Sequence, residues 1–121
     1  MMDSKDSVEI TRNDGAAVVA FQTACLSDTD AIASVSSQIK QFIDSNHPKH
    51  MVFDFEKVKF FSSQVLGLIL ETRARLQADS GRVVISSINP QLHRVFRITN
   101  LDRIFEFFPD RSAAIHATPA L

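Results

Sequence analysis

The feature that most constrains this chain is the alternation of short β-prone apolar runs with stretches of helical periodicity. Met51-Val52-Phe53-Asp54-Phe55 and Arg82-Val83-Val84-Ile85-Ser86-Ser87-Ile88 are mostly apolar runs of the length that strands buried on both faces require. Between them, Leu66, Ile69, Leu70, Arg73 and Leu76 recur at the helical period, and Ser80-Gly81 closes the segment, which predicts a helix from Gln64 to about Asp79. A strand, a helix and a second strand of this kind make a parallel pair joined by a right-handed crossover.

The flanking segments extend the pattern. Val8-Glu9-Ile10-Thr11, the turn signal Asn13-Asp14-Gly15 and the apolar run Ala16 to Phe21 read as a hairpin. Ser27-Asp28-Thr29-Asp30 offers several N-caps for a helix to about Asp44, with Ile32, Val35, Ile39, Phe42 and Ile43 on its apolar face and Asn46-His47-Pro48 ending it. Asn89-Pro90 opens a short helix carrying Leu92, Val95, Phe96 and Thr99. Ile104 to Phe108 reads as a last strand, and Pro109-Asp110-Arg111-Ser112 starts a final helical turn or two. The order β-β-α-β-α-β-α-β-α predicts an α/β domain with a mixed sheet of 4–5 strands and about four helices, mainly on one face. Phe53, Leu66, Ile69, Leu70, Val83, Ile85 and Phe96 are its expected core.

With 121 residues, the chain has the size of one domain over 1–121, residues 1–7 and 117–121 being expected flexible ends. A formal net charge of −1 leaves no basic field for gathering phosphates, so no nucleic-acid partner is expected. No apolar run is long enough to span a bilayer, and the polar, acidic start does not read as a signal peptide, so a cytoplasmic protein with no membrane partner is expected. One cysteine, Cys25, cannot form a disulfide within the chain or a cysteine-based zinc site.

Signatures of catalysis are sparse. The chain has no glycine-rich phosphate loop, no nucleophile elbow and no His-Glu-x-x-His, and three glycines leave little material for a phosphate cradle. His47 and His50 flank a proline instead of sharing a helical face, and His93 and His116 stand alone. Asp54 and Glu56 would share one side of a strand, where they read as a polar face or strand-end pair, and Cys25 reads as a buried or half-buried thiol. No catalytic residue, cofactor or metal is assigned. The informative stretch is Phe60-Phe61-Ser62-Ser63-Gln64-Val65-Leu66-Gly67-Leu68-Ile69-Leu70, where two hydroxyls stand at a strand-to-helix junction. One of them can be an N-cap, or an exposed hydroxyl there can accept a phosphate that the helix dipole tolerates.

Val52-Phe53-Asp54-Phe55 through Val58, followed by Phe60 to Leu70, resembles the central signature of STAS domains, the anti-sigma factor antagonist family. In that signature an apolar strand ending in Asp-Leu leads into Asp-Ser-Ser/Thr-Gly-Leu-Gly and an apolar helix. The resemblance extends through Gly81 to Ile85, Asn89-Pro90, Val95-Phe96, Thr99-Asn100-Leu101 and Ile104-Phe105, over roughly residues 8–116. By position it places the family's phosphorylated serine on Ser63. Ser62 stands where the family has aspartate, Gln64 where it has Ser/Thr and Val65 where it has glycine, while Leu66 and Gly67 match. The resemblance implies a non-enzymatic regulatory module. Its Ser62, Ser63 and Gln64 would meet an anti-sigma factor that is also a serine kinase of the histidine-kinase-like ATPase fold, and phosphorylation of Ser63 would control transcription. Ser62 is the alternative acceptor. The other readings are a STAS scaffold or sensor-complex subunit that is not phosphorylated, or a small ligand-binding protein or enzyme using Asp54, Ser62 and Ser63.

Overall fold

The computed structural model describes residues 7–117, so the expected flexible ends lie almost entirely outside the described residues. The elements are β1 (Val8–Asn13), β2 (Ala16–Phe21), β3 (Cys25–Leu26), α1 (Thr29–Asn46), β4 (His50–Asp54), β5 (Phe60–Phe61), α2 (Ser63–Ala78), β6 (Arg82–Ser86), α3 (Pro90–Ile98), a 3-10 turn (Leu101–Arg103), β7 (Glu106–Phe108) and α4 (Arg111–Ile115). Asp14 and Gly15 both take positive φ, +50° and +84°, as a two-residue turn of the hairpin kind requires between β1 and β2.

The main sheet has the order β1-β2-β4-β6-β7. Its β1–β2 pair is antiparallel and the rest are parallel, with α1, α2 and α3 as the crossovers. The pleat divides the side chains into two layers. Ala17, Val19, Phe21, Met51, Phe53, Val83 and Ile85 meet α1, α2 and α3 in the larger core. Ala16, Val18, Ala20, Val52 and Val84 form a smaller layer on the other face, with Ala114 and Ile115 of α4. Ring contacts run through the larger core, including Phe21 stacked on Phe53 at 5.8 Å and Phe61 edge-on to Phe96 at 6.1 Å. Most of the ten phenylalanines are thereby used inside the fold.

Three expectations need correction. The helix face of α2 is rotated from the expected one: Val65, Leu68, Ile69, Thr72 and Leu76 are buried, whereas Leu66 and Leu70 are only partly buried against the core. Thr72 sits inside because its hydroxyl donates to the Leu68 carbonyl at 2.8 Å, so a residue that reads as polar occupies the centre of the stripe. The last strand begins at Glu106, two residues late, because Ile104 and Phe105 complete the preceding turn by bonding back to Leu101. Two short strands, β3 and β5, were not expected and pair with each other in a separate sheet.

Candidate functional site

The segment from β4 to α2 holds Ser62 and Ser63 at the start of α2 on a rigid base, with Ser63 at the surface. Phe55 and Val58 are buried, anchoring the turn between them. The Lys59 and Phe60 amides donate to the Ala24 carbonyl at 2.8 and 3.0 Å, and the Ser62 amide to the Leu26 carbonyl at 3.1 Å. The β3–β5 pair thus clamps the approach to α2 against the approach to α1. The two helices start side by side, with the Thr29 hydroxyl 3.5 Å from the Gln64 side-chain oxygen.

Ser62 occupies the N-cap position with extended backbone, φ −86° and ψ 166°, but its side chain makes no capping bond. Its Oγ is buried without a partner among the described residues. Ser63 is the first residue of α2, is exposed, and its hydroxyl has no partner among the described residues. The first turn of α2 holds no acidic side chain, so the positive end of the helix dipole at Ser63 is not offset there. Gln64 is exposed as well, whereas Val65 is fully buried. The β-branched residue in the family's glycine position therefore points into the core and does not obstruct the surface.

Two further features of this surface were not legible from the motif. Phe60 is 54% exposed, beside the exposed Cys25 with which it pairs in register. The expectation of a buried or half-buried thiol is thus corrected: Cys25 is at the surface, its sulfur 3.3 Å from the Ser27 hydroxyl. Gly67, one helical turn after Ser63, is exposed, and a Cβ added there would meet nothing within 4 Å. The fold itself does not need that glycine.

Asp54 does not form a pair with Glu56. It is 2% exposed, whereas Glu56 is exposed beyond the strand end, and only the Glu56 amide returns to it, donating to Oδ1 at 3.2 Å. Asp54 Oδ2 accepts from Nε and a terminal nitrogen of Arg111 at 2.9 and 2.7 Å, and Oδ1 also accepts from the Ser86 hydroxyl at 3.2 Å. The carboxylate is a structural fastener between β4, β6 and α4. His50 Nε2 donates to the Ala114 carbonyl at 2.8 Å, and the His93 ring lies tilted against that of Phe107, with centroids 4.5 Å apart. His116 bonds Asp14 at 2.9 Å, which raises its pKa above the ordinary 6.5. Among the described residues no cluster of His, Cys, Asp and Glu could hold a metal ion. No described helix is long and apolar enough to cross a membrane.

A family model described as the STAS domain matches residues 7–114. The chain belongs to the STAS domain family. A STAS domain protein from Planctomyces limnophilus is 20% identical over 89% of this chain and 93% of that one, with a TM-score of 0.80. The unphosphorylated form of the anti-sigma factor antagonist SpoIIAA is 20% identical over 88% of this chain and 91% of that one, with a TM-score of 0.76, and the phosphorylated form of this Bacillus protein aligns at a TM-score of 0.68. A sulfate transporter family protein from Wolinella succinogenes is 11% identical over 84% of this chain and 82% of that one, with a TM-score of 0.67. At these identities the likeness concerns the fold: a mixed sheet with four helices, as the strand and helix alternation predicts.

Proposed function

We propose that this STAS domain is a cytoplasmic, non-enzymatic regulator that acts as an anti-sigma factor antagonist. Its unphosphorylated form docks through Ser62, Ser63 and Gln64 onto an anti-sigma factor that is also a serine kinase of the histidine-kinase-like ATPase fold, and phosphorylation of Ser63 releases it. The observation that carries this reading is the exposed, unengaged hydroxyl of Ser63 at the first residue of α2. A phosphate there meets the positive end of a helix and leaves the core untouched, so the fold tolerates it. In a docked complex the same dianion must be stripped of water or matched by a partner cation, which makes release the expected consequence. Ser62 is the poorer acceptor because its oxygen is already buried.

The test is calorimetric titration of the purified chain with each anti-sigma kinase encoded by its own organism, using wild type, Ser63→Ala and Ser63→Asp. Wild type and Ser63→Ala should bind alike, and Ser63→Asp should bind at least about tenfold more weakly, which corresponds to about 1.4 kcal/mol. A second reading, a STAS scaffold that is not phosphorylated, is favoured by Ser62 standing in the position of the family's aspartate. Equal binding by all three proteins would select it and overturn the switch.

A further inference from the structure

At the end of the sheet where β4 and β6 begin, a cavity of about 770 Å3 lies between the C-terminal half of α2 and the segment leading into β7. That volume is in the range of small-molecule sites. Gly81 closes this end: a Cβ there would come within 3.1–3.2 Å of the Leu76, Lys49 and Pro48 carbonyl oxygens. The close approach brings Lys49 from the connection before β4, Arg73 of α2 and Arg82 of β6 onto one cavity lining. Arg82 is paired with Glu106 at 2.9 Å. The other two cations are held by neutral groups. The Lys49 ammonium donates to the Asp79 backbone carbonyl, and the Arg73 guanidinium lies 5.9 Å from the Phe105 ring centroid. Neither makes an ion pair with a carboxylate among the described residues. Asp79 itself lies 4.0 Å from His47.

Through the Asp79 carbonyl Lys49 sits at the negative end of α2, whose partial charge offsets only part of its own. The Leu76 carbonyl accepts from the Asp79 and Gly81 amides, and the Gln77 carbonyl from the Ser80 amide, so these helix-end acceptors are occupied. Gln77 and Ser80 also line the cavity, Glu106 contributes a carboxylate that is paired with Arg82, and the apolar part of the wall is Val83 with Ile104, which is 40% exposed. We infer that this cavity binds a small amphipathic organic anion, with a carboxylate or phosphate group taken by Lys49 and Arg73 and a short apolar body lying on Ile104. Its cations are positioned in advance by a carbonyl and a ring, contacts that do not cancel their charge. The 16 residues of α2 span about 24 Å, and Ser63 is at the opposite end from this cavity. The inference therefore stands apart from the phosphoswitch.

The test is an amide-shift NMR titration of the full chain with hexanoate, hexyl phosphate, inorganic phosphate and, as the control, hexylamine. Saturable shifts at 49–50, 80–83 and 104–106 are expected with at least one hexyl anion, at a Kd of about 1 mM or tighter. The anion that binds more tightly identifies the headgroup. The double variant Lys49→Gln with Arg73→Gln should weaken binding about tenfold or more, and Arg73→Lys should retain most of it. Ile104→Ser should weaken the hexyl anions and leave inorganic phosphate unchanged. Absence of saturable shifts with both hexyl anions, equal binding of hexylamine, or unaltered affinity in the double variant with native amide positions elsewhere would each overturn the proposal.

Discussion

Replacing Arg111 with methionine should destabilise the protein far more than its place on a five-residue terminal helix suggests. The substitution keeps a long apolar stem and removes the two hydrogen bonds, at 2.9 and 2.7 Å, that reach Asp54 Oδ2. Losing one partner of a fully buried ion pair costs about 3–5 kcal/mol, because the other charge stays behind in the protein interior. Here the Asp54 side chain is 2% exposed but that of Arg111 is 40% exposed, so water can enter where the guanidinium was. Asp54 also keeps the Ser86 hydroxyl and the Glu56 amide. The expected loss is therefore about 2–3 kcal/mol, or roughly 10 °C in Tm. Urea unfolding followed by circular dichroism is the assay, since the chain has no Trp or Tyr for fluorescence. Amide exchange should accelerate first at Ala114 and Ile115, whose helix Arg111 fastens over the smaller core layer. A double-mutant cycle with Asp54→Ala should give a coupling of at least about 1 kcal/mol. A loss below about 0.5 kcal/mol for Arg111→Met would refute the reasoning, because it would mean that Asp54 does not depend on this partner.

Ile69→Ala should cost about 2–5 kcal/mol and Leu70→Ala about 1–2 kcal/mol, because Ile69 is fully buried and Leu70 lies on the flank; equal losses in urea unfolding would contradict the α2 face described. Gly67→Ala should raise stability by about 0.5–1 kcal/mol, since a Cβ meets nothing there, whereas Gly81→Ala should lower it by about 1–3 kcal/mol through contact with three carbonyl oxygens. His116 should titrate above 6.5, chiefly because of its hydrogen bond to Asp14. A raised folded-state pKa means that the contact stabilises fully below the unfolded pKa and fades as pH rises through the folded one. In an NMR titration Asp14→Asn should bring the His116 midpoint down, and an unchanged midpoint would refute the contact.

Strand and helix order was legible in the sequence because apolar runs of strand length and a helical period are separated by strong stops. Asn89-Pro90 and Asp14-Gly15 fall where the structure puts a cap and a turn. The face of α2 was not legible, because Val65, Leu66, Leu68, Ile69 and Leu70 make a stripe wide enough to centre in two ways, and buried Thr72 decides between them through a bond to its own helix. Asp54 reads as half of a carboxylate pair until α4 brings Arg111 to it from 57 positions away. Nothing local signals that contact. The strands β3 and β5 escaped detection because two residues carry no periodicity. The surface around Ser63 was the most legible part of the candidate site, since a hydroxyl pair between an apolar strand exit and an apolar helix has few other places to go. Exposed Phe60 was hidden by its neighbour Phe61, which has the same side chain and the opposite direction.

The central claim is that Ser63 receives the phosphate. The most direct measurement is to incubate the purified chain and ATP with each kinase of the histidine-kinase-like ATPase fold from its own organism and map the products by mass spectrometry. The account predicts one phosphate, on Ser63, abolished by Ser63→Ala and retained by Ser62→Ala. Phosphate on Ser62 alone, or on neither serine with every such kinase, would contradict it.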